Sequence, residues 1–135
     1  MPGKNVQFVL IDDNPVDLLF HEQLIRNHGI GDRILSFKEA KVALDYFRGF
    51  RDAPDRYDMT VILLDLQMPE LNGFEFLKYV EEMPPFILDK TWVIIVSSSI
   101  GDADRERFDG YAFVRGAFRK PVDAEQLKGL LNDVE

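Results

Sequence analysis

Short apolar runs alternate with amphipathic stretches from one end of the chain to the other. Residues 6–11, VQFVLI, are apolar but for Gln7 and predict a strand. Residues 16–27 carry Leu18, Leu19, Leu24 and Ile25 on a 3.6-residue period, which predicts a helix. A short strand at 34–37 and a helix at 38–47, with Ala40, Ala43, Leu44 and Phe47 on one side, repeat the unit. The runs at 61–64 and 93–96 are apolar throughout, as strands are in a parallel sheet covered on both faces. Helical patterns at 73–82 and 124–132 follow their strands, and the weakly periodic residues 102–114 leave room for a short helix. Strand and helix alternating in this way predict an open, doubly wound α/β sheet in one domain over residues 1–135. Residues 49–60 and 82–91 exceed the roughly 2–6 residues usual for such connections. They are expected as surface excursions at the end of the sheet remote from the strand tips.

The strand tips matter because ligands of open parallel sheets bind beyond the carboxyl ends of the strands. The first strand ends in Asp12 and Asp13, the third in Asp65, the fourth in Ser97, Ser98 and Ser99, and the fifth, GAFRKPV, in Lys120 and Pro121. Taken singly, each has a plain reading. The acidic pair ahead of Asn14-Pro15 suits a helix cap, Asp65 and Ser97 suit turns, and Lys120 suits solvent. Together they put three carboxylates, a hydroxyl and an ammonium on one rim. Carboxylates so close repel one another, and a hard divalent cation with oxygen ligands offsets the repulsion; Mg2+ is the natural candidate. Asp65 is then a nucleophile for an electrophilic phosphorus, with Lys120 and the Ser97 hydroxyl aimed at the transferred oxygens.

Composition narrows the partners. A net charge of −8 and a pI near 4.7 argue against nucleic acid and anionic membrane surfaces, whose charge repels such a chain. The absence of cysteine excludes a disulfide framework, a zinc-thiolate site and a thiol nucleophile, and suits a reducing compartment. The apolar run before Asp12 is too short for a signal peptide or a membrane span, so a cytoplasmic protein is expected. No GxxxxGK[ST] loop occurs, which argues against nucleotide hydrolysis. His21 and His28, seven apart on the first helix, lack a third ligand and are expected at the surface. Phe74, Phe76, Phe108, Phe113 and Phe118 are expected in the core.

Four motifs in order, VLIDDN, LLDLQMPELNG, VIIVSSS and the KP after the fifth strand, resemble the receiver domains of two-component response regulators over nearly the whole chain. The resemblance implies a flavodoxin-like, five-stranded parallel sheet of order 2-1-3-4-5 with helices on both faces. It implies that Asp65 is the phosphoacceptor and that Mg2+ is held by Asp13, Asp65, the backbone carbonyl of Gln67 and, through water, Asp12. Ser97 and Lys120 would bind the phosphoryl group, and the small Ser98 would leave access to it. Pro69 and Gly73 would turn the chain beside the site, and Pro121 would follow a cis peptide bond. The implied partners are a histidine kinase or histidine phosphotransfer protein and an unknown downstream protein. No output domain is expected within these residues, nor multiple-turnover catalysis.

Two other functions compete. A phosphatase of the haloacid dehalogenase type also uses an aspartate at a strand end with Mg2+, but needs a second aspartate two residues on, where this chain has Gln67. A phosphate-independent pseudo-receiver usually loses part of the acidic set, which is complete here. One departure from the resemblance stands out. Receivers commonly carry an aromatic three residues before the lysine, whereas here that position is Ala117 and the aromatic is Phe118. Because side chains alternate across a strand, Phe118 is expected on the opposite face, as a fixed core residue. Tyr111 and Phe113 are the available substitutes.

Overall fold

The computed structural model describes residues 5–48, 59–68 and 72–132. Pro69 and most of the 49–60 connection lie outside them. Five strands, β1 (Val6–Ile11), β2 (Arg33–Phe37), β3 (Met59–Leu64), β4 (Thr91–Ser97) and β5 (Val114–Arg119), form one parallel sheet in the order β2-β1-β3-β4-β5. The helices are α1 (Pro15–Asn27), α2 (Ala40–Arg48), α3 (Gly73–Glu81), α4 (Pro85–Leu88), α5 (Asp102–Asp109) and α6 (Ala124–Asn132). The weakly periodic segment therefore does hold a helix, α5, whose buried residue is Phe108. The 82–91 connection holds a single turn, α4, opened by Pro85 at its first position.

Each strand splits its side chains between two cores, as a period of two requires. Val9, Ile11, Ile62, Leu64, Val93 and Ile95 pack with α2, α3, α4 and α5 on one face. Phe8, Leu10, Val61, Leu63, Ile94 and Val96 pack with α1 and α6 on the other. With both faces covered, β1 and β3 are buried at every position, which explains their uninterrupted apolar runs. Gln7 is the polar exception; its side chain is buried and bonds Tyr46 Oη and Thr60 Oγ1 instead of water.

Ala117 and Phe118 do fall on opposite faces. Ala117 packs with the α2–α3 core beside Tyr111 and Phe113, and Phe118 with the α1–α6 core. Phe118 is only half-buried, however, rather than the full core residue expected. β5 is an edge strand, and a side chain there lacks neighbours on one flank. Phe113, just before β5, is also half-buried, while Phe74, Phe76 and Phe108 are buried.

Candidate functional site

Register brings the strand tips together. Ile11 pairs with Leu64, and Leu64 with Ile95, so Asp12 and Asp65 leave adjacent strands at the same level. The Asp65 amide donates to the Ile11 carbonyl at 3.0 Å, carrying the ladder one step past the last paired residues. On the other side, Lys120 N donates to Ser97 O at 3.0 Å, which sets the lysine immediately beyond β5.

Both buried carboxylates are oriented in one way. Asp12 Oδ1 accepts from Asn14 N at 2.9 Å, and Asp65 Oδ1 accepts from Gln67 N at 3.1 Å. These are turns in which an aspartate side chain binds the backbone two residues on. They leave each Oδ2 free to face Lys120, whose Nζ lies 2.6 Å from Asp12 and 3.3 Å from Asp65. The helix cap that Asp12 and Asp13 offered as a plain reading is made by Asn14, whose side chain accepts from Val16 N and Asp17 N. Both aspartates are therefore released for the rim. Asp12 and Asp65 are each 5% exposed; Asp13 stands exposed beside them. Ligand oxygens of all three lie within 4.8 Å of one another.

Burial pushes the Asp65 carboxyl above its ordinary value, against the Gln67 N–H bond and the Lys120 charge that pull it down. Burial alone would depress Lys120, but its hydrogen bonds to Asp12 and Asp17 and the Asp65 charge outweigh that and raise it well above 10.5. The ammonium stays charged. Ser97 is fully buried, and its Oγ has no hydrogen-bond partner among the described residues. Such a group is rare and costly unless something else is there to use it. Ser98 and Gln67 are exposed, and Gln67 Nε2 reaches Ser99 Oγ at 3.5 Å. The Lys120–Pro121 bond is cis.

Gly73 and Asn72 begin α3 beside the acceptor. Asn72 and Glu75 close a capping box, each side chain accepting from the other's amide. Gly73 N donates to Leu66 O at 3.0 Å, so the helix start lies directly on the chain leaving β3.

Two residues near the rim escaped sequence reasoning. Asp17, on the first turn of α1, pairs with Lys120 Nζ at 2.9 Å. It is legible only as an acid one helical turn past the Asp12–Asn14 run, which alone is no signal. His21, one turn further on, was expected at the surface but is 5% exposed. Its Nε2 accepts from Val122 N at 3.4 Å, which draws the imidazole inward on the α6 side, while His28 is exposed. Burial lowers the His21 imidazole from its ordinary 6.5, against the Asp12 and Asp17 charges that raise it. The unfolded chain therefore binds this proton before the folded one does. Stability should fall as pH drops through 6.5 and level off below the folded value. His21→Gln, which keeps an acceptor for Val122 N, should flatten that part of the profile in urea titrations above and below 6.5. Identical pH slopes for the two proteins would show that His21 does not carry it.

The chain and its fold match known proteins. The family model described as response regulator receiver domain covers residues 8–132, and the chain belongs to that family. Receiver domains of this family are signalling domains. The two-component response regulator ORR1 of Oryza sativa subsp. japonica is 26% identical over 133 residues, which take in 96% of this chain and 56% of that protein. The chain therefore spans little more than half of this relative. A response regulator receiver protein from Dyadobacter fermentans superposes with a TM-score of 0.84 at 29% identity, over 95% of this chain and 96% of that one. A two-component response regulator from Cytophaga hutchinsonii shares the fold, with a TM-score of 0.85 at 24% identity over 97% of each. Among the described residues, no helix is long and apolar enough to cross a membrane.

Proposed function

We propose that this receiver accepts a phosphoryl group on Asp65 from a phosphohistidine of a histidine kinase or histidine phosphotransfer protein, and passes the signal to a downstream protein partner. The observation that carries the reading is the buried Asp65 carboxylate, held by Gln67 N and faced by Lys120, one strand from an unpartnered Ser97 hydroxyl.

The donor set of Asp12, Asp13 and Asp65 consists of hard oxygens at close range and fits Mg2+, with the Gln67 carbonyl as a further ligand. When bound, Mg2+ supplies charge neutralisation to the donor and transferred oxygens. The chain's own residues do the rest. An Asp65 oxygen forms the new bond to phosphorus while the bond from phosphorus to the donor nitrogen breaks, and the leaving imidazole takes a proton. Gln67 N holds the other Asp65 oxygen, so the carboxylate presents one orientation. Lys120 meets the equatorial charge as a permanent cation, and Ser97 Oγ donates to a phosphoryl oxygen. The exposed Ser98 leaves the acyl phosphate open to partners and water. Gln67 has no carboxyl to act as general acid, so turnover like that of a haloacid dehalogenase phosphatase is not supported.

The test is incubation with a small phosphodonor such as acetyl phosphate, read by intact mass and peptide mapping. One phosphoryl group should appear, on Asp65, with Mg2+ and not with EDTA. Labelling elsewhere, or labelling undiminished by EDTA, would sink the reading.

A further inference from the structure

Lys120 is held by one more carboxylate than phosphoryl transfer requires. Its Nζ lies 2.6 Å from Asp12 Oδ2 and 3.3 Å from Asp65 Oδ2, on two of the three carboxylates that could hold a cation at the rim. The third partner, Asp17 Oδ2 at 2.9 Å, belongs to α1 and is outside the Asp12–Asp13–Asp65 trio. The Lys120 side chain is 10% exposed, so its ammonium has little water to fall back on. One turn beyond Asp17, His21 takes the Val122 amide. Helix α1 thus grips the segment after β5 twice, by the Lys120 ammonium and by the Val122 backbone.

We infer that Asp17 is a positioning residue that takes over Lys120 when Asp12 and Asp65 turn to a divalent cation, and that it thereby sets the cation affinity of the rim. The inference rests on the proposed function. Lys120 and a cation are like charges drawn to the same carboxylates, Asp12 and Asp65, so they compete for them. An ammonium stripped of every counter-ion in a nearly closed site is strongly disfavoured. With Asp17 in place, Lys120 gives up two carboxylates and keeps one charge-assisted bond. Without it, Lys120 holds to Asp12 and Asp65 and competes. The same tether keeps the ammonium within reach of Asp65 for the incoming phosphoryl group.

A double-mutant cycle read by Mg2+ affinity tests this, using calorimetry or amide NMR titration of the full chain. Asp17→Asn should weaken Mg2+ binding about tenfold, the worth of one hydrogen bond to a charged group. Asp17→Glu, which keeps a carboxylate on the same turn, should recover most of the loss. In a Lys120→Met background, with Lys120→Gln as a second such background, Asp17→Asn should cost about twofold at most, the screened attraction of a charge that is not a ligand. The Lys120 ζ-nitrogen signal should remain protected from exchange when Mg2+ is added to the wild type and lose that protection in Asp17→Asn. An equal loss of affinity in both backgrounds would reduce Asp17 to a plain surface charge and overturn the inference. So would an Asp17→Asn protein with unchanged affinity. A wild type that binds no Mg2+, or whose affinity Asp13→Asn leaves untouched, overturns the proposed function and this inference together. Failure confined to Asp17 leaves the proposed function standing.

Discussion

Asp65→Asn should abolish phosphoryl labelling, whereas Ser97→Ala should leave the fold at least as stable while shortening the life of the phosphorylated form. The amide keeps the shape of Asp65 and an acceptor for Gln67 N, and Lys120 retains Asp12 and Asp17. The variant should therefore fold, but its amide oxygen is a poor nucleophile, and labelling should drop to background. Ser97 presents the opposite balance. Its hydroxyl is buried without a partner, a situation that costs about 1–3 kcal/mol, and alanine removes the cost with little loss of packing. A urea or thermal midpoint unchanged or raised in Ser97→Ala is expected. Beryllofluoride, a phosphoryl mimic, should bind that variant about tenfold more weakly, as one lost charge-assisted bond implies. Destabilisation of Ser97→Ala by more than about 1 kcal/mol would mean the hydroxyl serves the fold. Residual labelling of Asp65→Asn would move the acceptor elsewhere.

Gly73→Ala should damage both stability and labelling, because the added methyl meets backbone on two sides. A Cβ at Gly73 would lie 2.8 Å from Leu66 Cα and 3.0 Å from the Asp65 carbonyl oxygen. Neither atom belongs to a flexible side-chain end, so the start of α3 must move away from β3. Overpacking of this kind costs roughly 1–3 kcal/mol. The movement is transmitted to Asp65 and Gln67, so the labelling rate should fall along with the urea midpoint. Gly129 is the control. It lies inside α6 with nothing within 4 Å of an added Cβ, and Gly129→Ala should raise stability by about 0.4–1 kcal/mol without touching the rim. A Gly73→Ala protein as stable and as readily labelled as the wild type would show that the approach at Leu66 is slack.

Hydrophobic periodicity predicted a doubly wound parallel sheet with most of its strands and longer helices, while the strand order came from the family resemblance and α4 from the structure. Runs covered on both faces have no polar side, so the strands at 61–64 and 93–96 were plain, and the polar residue ending each apolar run, Asp65 or Ser97, marked the rim. Asp12, Asp65, Ser97 and Lys120 were legible for that reason: each ends its strand or follows it directly, and a parallel sheet brings all such ends to one edge. Ala117 and Phe118 were assigned to opposite faces by alternation alone, which needs no tertiary knowledge. Tertiary structure alone decided what reaches the rim from the side. Asp17 and His21 lie on a helix whose rotation about its axis is set by how Leu18 and Ile25 pack on the sheet. Helical periodicity shows which residues share a face but not what that face meets, so His21 read as surface and Asp17 drew no reading at all. The half-burial of Phe118 was likewise hidden, because an edge strand and a central one can share a hydrophobic pattern and differ only in their neighbours. The Ser97 hydroxyl completes the contrast. Its position could be read from the end of an apolar run, but its burial without a hydrogen-bond partner among the described residues follows only from the place of β4 between β3 and β5.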